Sequence, residues 1–190
     1  MPATSTSPPR LLAISGSIRR DSYCTAVLRS LVGLIGNKAE LSLCSLDEVP
    51  LYNADLDGDN PPAAVRVLKA SITACQGIVI CSPEYNYGMP GVLKNAIDWA
   101  SRPGFKSPLK GKPALIMTAS PGTAGGVRAQ HQIREALSAT LARPITRQHV
   151  AIAGVGGKII DGQLRDEATI QFVLQALDDL LEEVRLLANS

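Results

Sequence analysis

Two hydrophobic periods alternate along the chain. Short, nearly uninterrupted apolar runs lie at Leu11–Ser15, Leu41–Leu46, Gly77–Cys81, Ala114–Thr118 and Gln148–Ala153. Runs without a polar alternate predict strands buried on both faces. Between them, apolar residues recur at helical spacing. Val27, Leu28, Leu31, Leu34 and Ile35 share one face that closes at Gly36, a residue suited to end a helix in the left-handed conformation. Asn60, with Pro61 and Pro62, opens a second helix that runs to about Cys75, since proline is tolerated in a first helical turn. Pro90 begins a third, with Val92, Leu93, Ala96, Ile97 and Ala100 as its apolar side, and a fourth runs from Gly125 to about Leu141. The last is the clearest: Val173, Leu174, Leu177, Leu180, Leu181, Val184 and Leu187, with charges between them.

This alternation predicts an α/β domain with one parallel sheet covered on both faces. Five strands and five helices predict a doubly wound sheet in the order 2-1-3-4-5. No repeat or linker divides residues 10–190, which read as a single domain after a disordered tail at residues 1–9. Val49–Asn60, rich in Asp, Asn and Pro, is expected to be a surface loop.

Composition narrows the classes. The 190 residues are 45% hydrophobic and 19% charged, enough apolar surface for a core. Net charge is +2 with no basic tract, which argues against a nucleic-acid partner. No run of about 18 apolar residues exists to span a membrane. The opening MPATSTSPP has neither the basic nor the apolar region of a signal peptide. Cys24, Cys44, Cys75 and Cys81 form no C-x-x-C pair, and only two histidines are present, which argues against structural zinc. A cytoplasmic protein with reduced thiols is expected.

Ligands of such sheets bind beyond the carboxyl ends of the strands, so the loops there carry the candidate chemistry. After the first strand comes Gly16-Ser17-Ile18-Arg19-Arg20-Asp21-Ser22-Tyr23-Cys24. It is neither GxGxxG nor an ATP-type P-loop. It does bring hydroxyls, guanidiniums and a helix amino end together, which suits a phosphate dianion. Equally, Ser22 can be a simple N-cap and the arginines solvated. After the third strand comes Ser82-Pro83-Glu84-Tyr85-Asn86-Tyr87-Gly88-Met89-Pro90, running into a helix. Three of the chain's seven aromatics fall between Ser82 and Trp99. Such a turn can flank a planar ring with its backbone amides at the ring's edge; the alternative is a tight turn whose aromatics cap the core. Asn86 or Gly88 is expected to take positive φ there. After the fourth strand, Ser120-Pro121-Gly122-Thr123-Ala124-Gly125-Gly126 lets backbone approach a ligand closely.

These three segments resemble the NADPH-dependent FMN reductase family, whose members have a flavodoxin-like fold and include quinone, chromate and azo-dye reductases. The resemblance spans about Leu11 to Ala153, and PEYNYGMPGVLKNAIDW is its most specific part. GSIRRDSYC is similar to the family's phosphate loop, G-S-x-R-x-x-S-x-N, with Cys24 where Asn is usual. The resemblance implies bound FMN and NADPH or NADH as co-substrate. Ser17, Arg19, Ser22 and the amides of Tyr23 and Cys24 would hold the phosphate. Pro83, Glu84, Tyr85 and Asn86 would line the isoalloxazine, with Ser120 and Gly122 approaching from the other side. Hydride would pass from NAD(P)H to the flavin and electrons on to a small-molecule acceptor. No catalytic side chain is required, because the cofactor carries the chemistry. Glu84 is expected to shape its loop and Asp98 to cap or lie at an interface, while His131 and His149 are expected to be structural or surface residues. The resemblance also implies a homodimer or homotetramer. Two other functions remain open: a non-enzymatic electron carrier, to which the slightly basic charge is poorly suited, and a reductase that supplies free reduced FMN to a monooxygenase.

Overall fold

The computed structural model describes residues 7–189. The sheet is built from β1 (Arg10–Ser15), β2 (Glu40–Cys44), β3 (Gly77–Ser82), β4 (Pro113–Ala119), β5 (Arg143–Pro144) and β6 (Val150–Ile152). All pairings within it are parallel, in the order β2-β1-β3-β4-β5, with β6 also on β4. The predicted doubly wound, flavodoxin-like order is therefore the one observed. β3 and β4 are buried along their whole length, as their unbroken apolar sequence demands, whereas the edge strand β2 exposes Ser42 and Leu43.

Alternate side chains feed two cores. Leu11, Ala13, Val79, Cys81, Leu115 and Met117 face helices α1 (Tyr23–Leu34) and α5 (Glu167–Ala188). Leu12, Ile14, Ile78, Ile80, Ala114 and Ile116 face α2 (Ala63–Ala74), α3 (Gly91–Ala100) and α4 (Val127–Ala139). All four cysteines are buried and unpaired. Burial alone pushes the Cys44 thiol pKa up; for Cys75 burial is the largest cause, opposed by Lys112. Among the described residues no helix is long and apolar enough to cross a membrane.

Several boundaries differ from the sequence expectation. The fifth strand is split: Arg143 and Pro144 pair with the start of β4, and Val150–Ile152 with its end. In the segment between, Arg147 packs against α5, where its guanidinium pairs with Asp179 at 3.1 Å and lies 5.3 Å from the Phe172 ring centroid. Gln148 and His149 are exposed and lie outside the strand. α2 begins at Ala63 with Pro62 as its N-cap, and Asn60 instead accepts a hydrogen bond from Arg66 Nη1 at 2.8 Å. A small hairpin of β7 (Ile159–Ile160) and β8 (Gln163–Leu164) precedes α5. Asp166 caps α5 by accepting from Thr169 N. Hydrogen bonds from Thr169, with further help from Lys158, hold its carboxyl below the usual range.

Of the expected tail, residues 1–6 lie outside the described residues. Pro9 lies within them, and its carbonyl accepts Glu40 N–H at 2.9 Å, lengthening the β1–β2 ladder.

Candidate functional site

Sheet register sets the three loops side by side. Ser15 of β1 is paired with Cys81 of β3, and Ser82 of β3 with Thr118 of β4. The segments that follow therefore emerge as neighbours on one rim, where the strand order reverses.

The first loop leaves β1 through Gly16, whose N–H donates to Cys81 O at 2.8 Å. A Cβ there would lie 2.4 Å from Ser82 Oγ and 3.0 Å from Ser82 Cα, so only glycine lets these loops touch. The Ser15 hydroxyl organises the turn: it accepts from Thr25 Oγ1 at 2.9 Å and donates to Ser17 O at 3.1 Å. Ser17 Oγ accepts from Arg19 N, and Ser22 caps α1 by accepting from Thr25 N at 3.2 Å. Among the described residues, the N–H groups of Ile18, Arg20, Tyr23 and Cys24 find no acceptor within the chain. Unsatisfied amides at a helix amino end, two serine hydroxyls and the exposed Arg19, which stands 5.3 Å from the Tyr23 ring centroid, form a cradle that fits a phosphate.

Cys24 contributes to that cradle only through its backbone. Its side chain is 2% exposed and faces the core, where Sγ donates to Ala119 O at 3.8 Å. It also hydrogen-bonds with the Cys81 thiol, and that bond, reinforced by burial, pushes the Cys81 pKa well up. The thiol thus replaces a polar side chain with a buried one.

The second loop is a two-residue reversal. Tyr85 and Gly88 exchange both backbone hydrogen bonds at 3.0 Å. The central residues, Asn86 and Tyr87, have φ of 51° and 65°, as in a type I′ turn. Of the two residues named for a positive φ, Asn86 is the one that takes it. Gly88 has ordinary φ and is small for another reason: a Cβ would come 2.4 Å from Gln132 Oε1, the atom that accepts Met89 N–H at 3.0 Å. Tyr87 is the unanticipated residue, a bulky side chain in a conformation that costs energy. It is 71% exposed and lies 4.4 Å below the Arg128 guanidinium, measured to the ring centroid.

The third loop is stitched to the second by Glu84. Its Oε2 accepts the backbone N–H of Arg128 in the first turn of α4 at 2.9 Å, and its Oε1 lies 3.4 Å from Arg128 Nη1. Glu84 thus caps a helix remote in sequence and satisfies one of its orphan donors. Ser120 Oγ accepts Gly122 N–H at 3.1 Å, and Gly122 O accepts from Gly125 and Gly154 at 3.3 Å. Gly125 has φ +60°, and a Cβ on it would sit 2.8 Å from the Ala151 backbone. His131 and His149 are both exposed, and Asp98 pairs with Lys94 on the surface of α3 at 2.8 Å.

Residues 9–157, which hold all three loops, match the family described as NADPH-dependent FMN reductase. The chain belongs to the NADPH-dependent FMN reductase family. Relatives include an NAD(P)H-dependent FMN reductase of Pseudomonas aeruginosa, 38% identical over 93% of this chain and 97% of its own. A quinone reductase of Escherichia coli K12 is 35% identical over the same shares. Among solved structures, FerB, a flavoenzyme NAD(P)H:(acceptor) oxidoreductase from Paracoccus denitrificans, superposes with a TM-score of 0.84 at 31% identity, over 93% of this chain and 97% of its own. The family match ends before α5, yet Val173, Leu177, Leu180 and Leu181 of that helix fill the core behind the FMN reductase loops.

Arg128 and Gln132 were not singled out from sequence. The available signal was their place on the first two turns of α4, directly after the glycine loop. Glu84→Ala is expected to lower stability by about 0.5–2 kcal/mol, the range for a lost cap, with Glu84→Gln closer to wild type because it keeps an acceptor. Thermal unfolding of the two variants checks the order.

Proposed function

We propose that this protein is an FMN-dependent NAD(P)H oxidoreductase that reduces a quinone-type acceptor. The observation that carries the reading is the convergence of a free-amide phosphate cradle, an exposed tyrosine turn and a glycine loop on one rim. Overall, NAD(P)H and a proton reduce the quinone to the hydroquinone and leave NAD(P)⁺. Bound FMN supplies the two-electron chemistry. Ser17, Arg19, Ser22 and the amides of Tyr23 and Cys24 bind its phosphate. Pro83, Glu84, Tyr85 and Asn86 position the ring from one side, and Ser120 and Gly122 from the other. The quinone reductase relatives favour this acceptor over chromate, azo dyes and free flavin. Four unpaired thiols support a reducing, cytoplasmic location. Exposed Tyr85, Tyr87 and Phe105 support assembly into a homodimer or homotetramer, which light scattering measures.

The test is steady-state oxidation of NAD(P)H by the purified protein against quinone, chromate, azo dye and free FMN, with flavin content measured after gel filtration. The expected result is retained FMN and quinone-dependent turnover without a partner protein. A carrier would oxidise no NAD(P)H alone, and a flavin-supplying reductase would lose its flavin on the column. Arg19→Ala is expected to weaken FMN binding by about 1.5–3 kcal/mol, as for a hydrogen bond to a charged group. Riboflavin, which lacks the phosphate, should be little affected; equal losses by fluorescence titration would remove Arg19 from the cradle.

A further inference from the structure

A second cationic cleft lies on the β2 side of the first loop. It has a volume of about 220 Å³ and opens between that loop, the first two turns of α1 and the end of β2. Arg19, Arg20 and Arg29 line it, with Ser17 and Ser45 among its hydroxyls and Asp47 as its one carboxylate. Among the described residues, none of the three arginines has a carboxylate within 4 Å. Asp47 is exposed, with its backbone N–H held by Ser45 Oγ at 3.2 Å. Three guanidiniums therefore face one carboxylate, and the cleft carries an excess of two positive charges. Like charges gathered without a counter-ion repel one another, and a guanidinium fork matches the oxygens of a phosphate.

The flavin phosphate is already provided for. Its cradle uses the helix amino end with Ser22 and Tyr23, neither of which lines this cleft. Ser17, Ile18, Arg19 and Arg20 belong to both, Ile18 and Arg20 giving only their free amides to the cradle, which makes the two sites adjacent. In the proposed reaction, the other phosphates come from the nicotinamide dinucleotide. Its pyrophosphate is present in NADH and NADPH alike and carries one charge per phosphate. A phosphomonoester carries close to two near neutral pH, a charge that the side chains of Arg20 and Arg29, the two cleft arginines not assigned to the flavin phosphate, can meet. We propose that this cleft receives the 2′-phosphate of NADPH, with Arg20 and Arg29 as the residues that select NADPH over NADH. The proposal rests on the reading of the protein as an NAD(P)H oxidoreductase.

The experiment uses the FMN-loaded protein. Calorimetric titration compares 2′,5′-ADP with 5′-AMP, which differ by the 2′-phosphate alone, for wild type, Arg29→Ala and Arg29→Lys. Kinetics with NADPH and NADH accompany it. Wild type should bind 2′,5′-ADP at least about tenfold more tightly, and Arg29→Ala should close that gap. KM for NADPH should rise about 10- to 100-fold, the equivalent of one lost bond to a charged group. KM for NADH and flavin content should stay as in wild type, and Arg29→Lys should fall between. Equal affinities for the two probes, or equal shifts in both KM values, overturn the proposal. Loss of flavin from Arg29→Ala overturns it too, by assigning the cleft to the flavin phosphate. A wild type that prefers 2′,5′-ADP yet oxidises neither nucleotide supports the cleft and overturns the reductase reading.

Discussion

Trp99→Ala is expected to destabilise the protein by about 3–5 kcal/mol, the range for truncating a large buried aromatic. Trp99 is wholly buried on α3, and its Nε1–H donates to Pro50 O at 2.8 Å. Asn95, one turn earlier, donates to the same carbonyl at 2.9 Å and accepts Tyr52 N–H at 2.7 Å. Tyr52 packs edge-on against the indole, with ring centroids 4.9 Å apart. The truncation therefore opens a cavity and also removes one of the clasps on the segment after β2. Trp99→Phe separates the two effects, since it keeps most of the volume and leaves Pro50 O with Asn95. It should cost markedly less than Trp99→Ala in denaturant unfolding. Similar losses for both would mean that the indole N–H, and not the packing, carries the contribution.

That clasp shows where sequence reasoning stops. Val49–Asn60 reads as a loop because Asp, Asn and Pro break both periods, and a loop it is. Nothing in its composition reveals that Asn95 and Trp99 hold it, because the bonds run between residues more than forty positions apart. The sheet was legible because β1, β3 and β4 are buried on both faces, so hydrophobicity alone marks them. The fifth position was not, because its two short pieces pair with opposite ends of β4, with an unpaired segment between them that carries Arg147 onto α5. The β7–β8 hairpin carried only the Asp161-Gly162 dipeptide as a signal, and both residues have the positive φ that such a pair favours. In the site, loop position and charge were legible from spacing. The direction of a side chain was not: Cys24 sits on the phosphate loop, yet its thiol belongs to the core. Tyr87 gave no local sign of its strain, because tyrosine is a poor choice at positive φ, and the Arg128 that lies over its ring comes from another element.

Gly16→Ala is the substitution expected to do the most damage to function with the least chemical change. The added methyl would meet Ser82 Cβ at 2.8 Å and its Cα at 3.0 Å, so rotating the serine hydroxyl away cannot relieve the clash. The first and second loops must separate, straining the bond from Gly16 N–H to Cys81 O that aligns them. Overpacking of this kind costs about 1–3 kcal/mol, which the two cores can absorb without unfolding. The site has less tolerance, because on the proposed reading the phosphate cradle and the tyrosine turn hold opposite ends of one flavin. A displacement of about 1 Å can lower turnover on the order of 100-fold. Gly16→Ala should therefore stay folded by circular dichroism, lose flavin on gel filtration and oxidise NAD(P)H poorly. Adding Ser82→Gly removes the Oγ and Cβ that crowd the new methyl, and flavin content should partly return. A Gly16→Ala protein with wild-type flavin and turnover would show that the loops need not touch. A poor variant that Ser82→Gly fails to improve would place the damage in the backbone of the first loop itself.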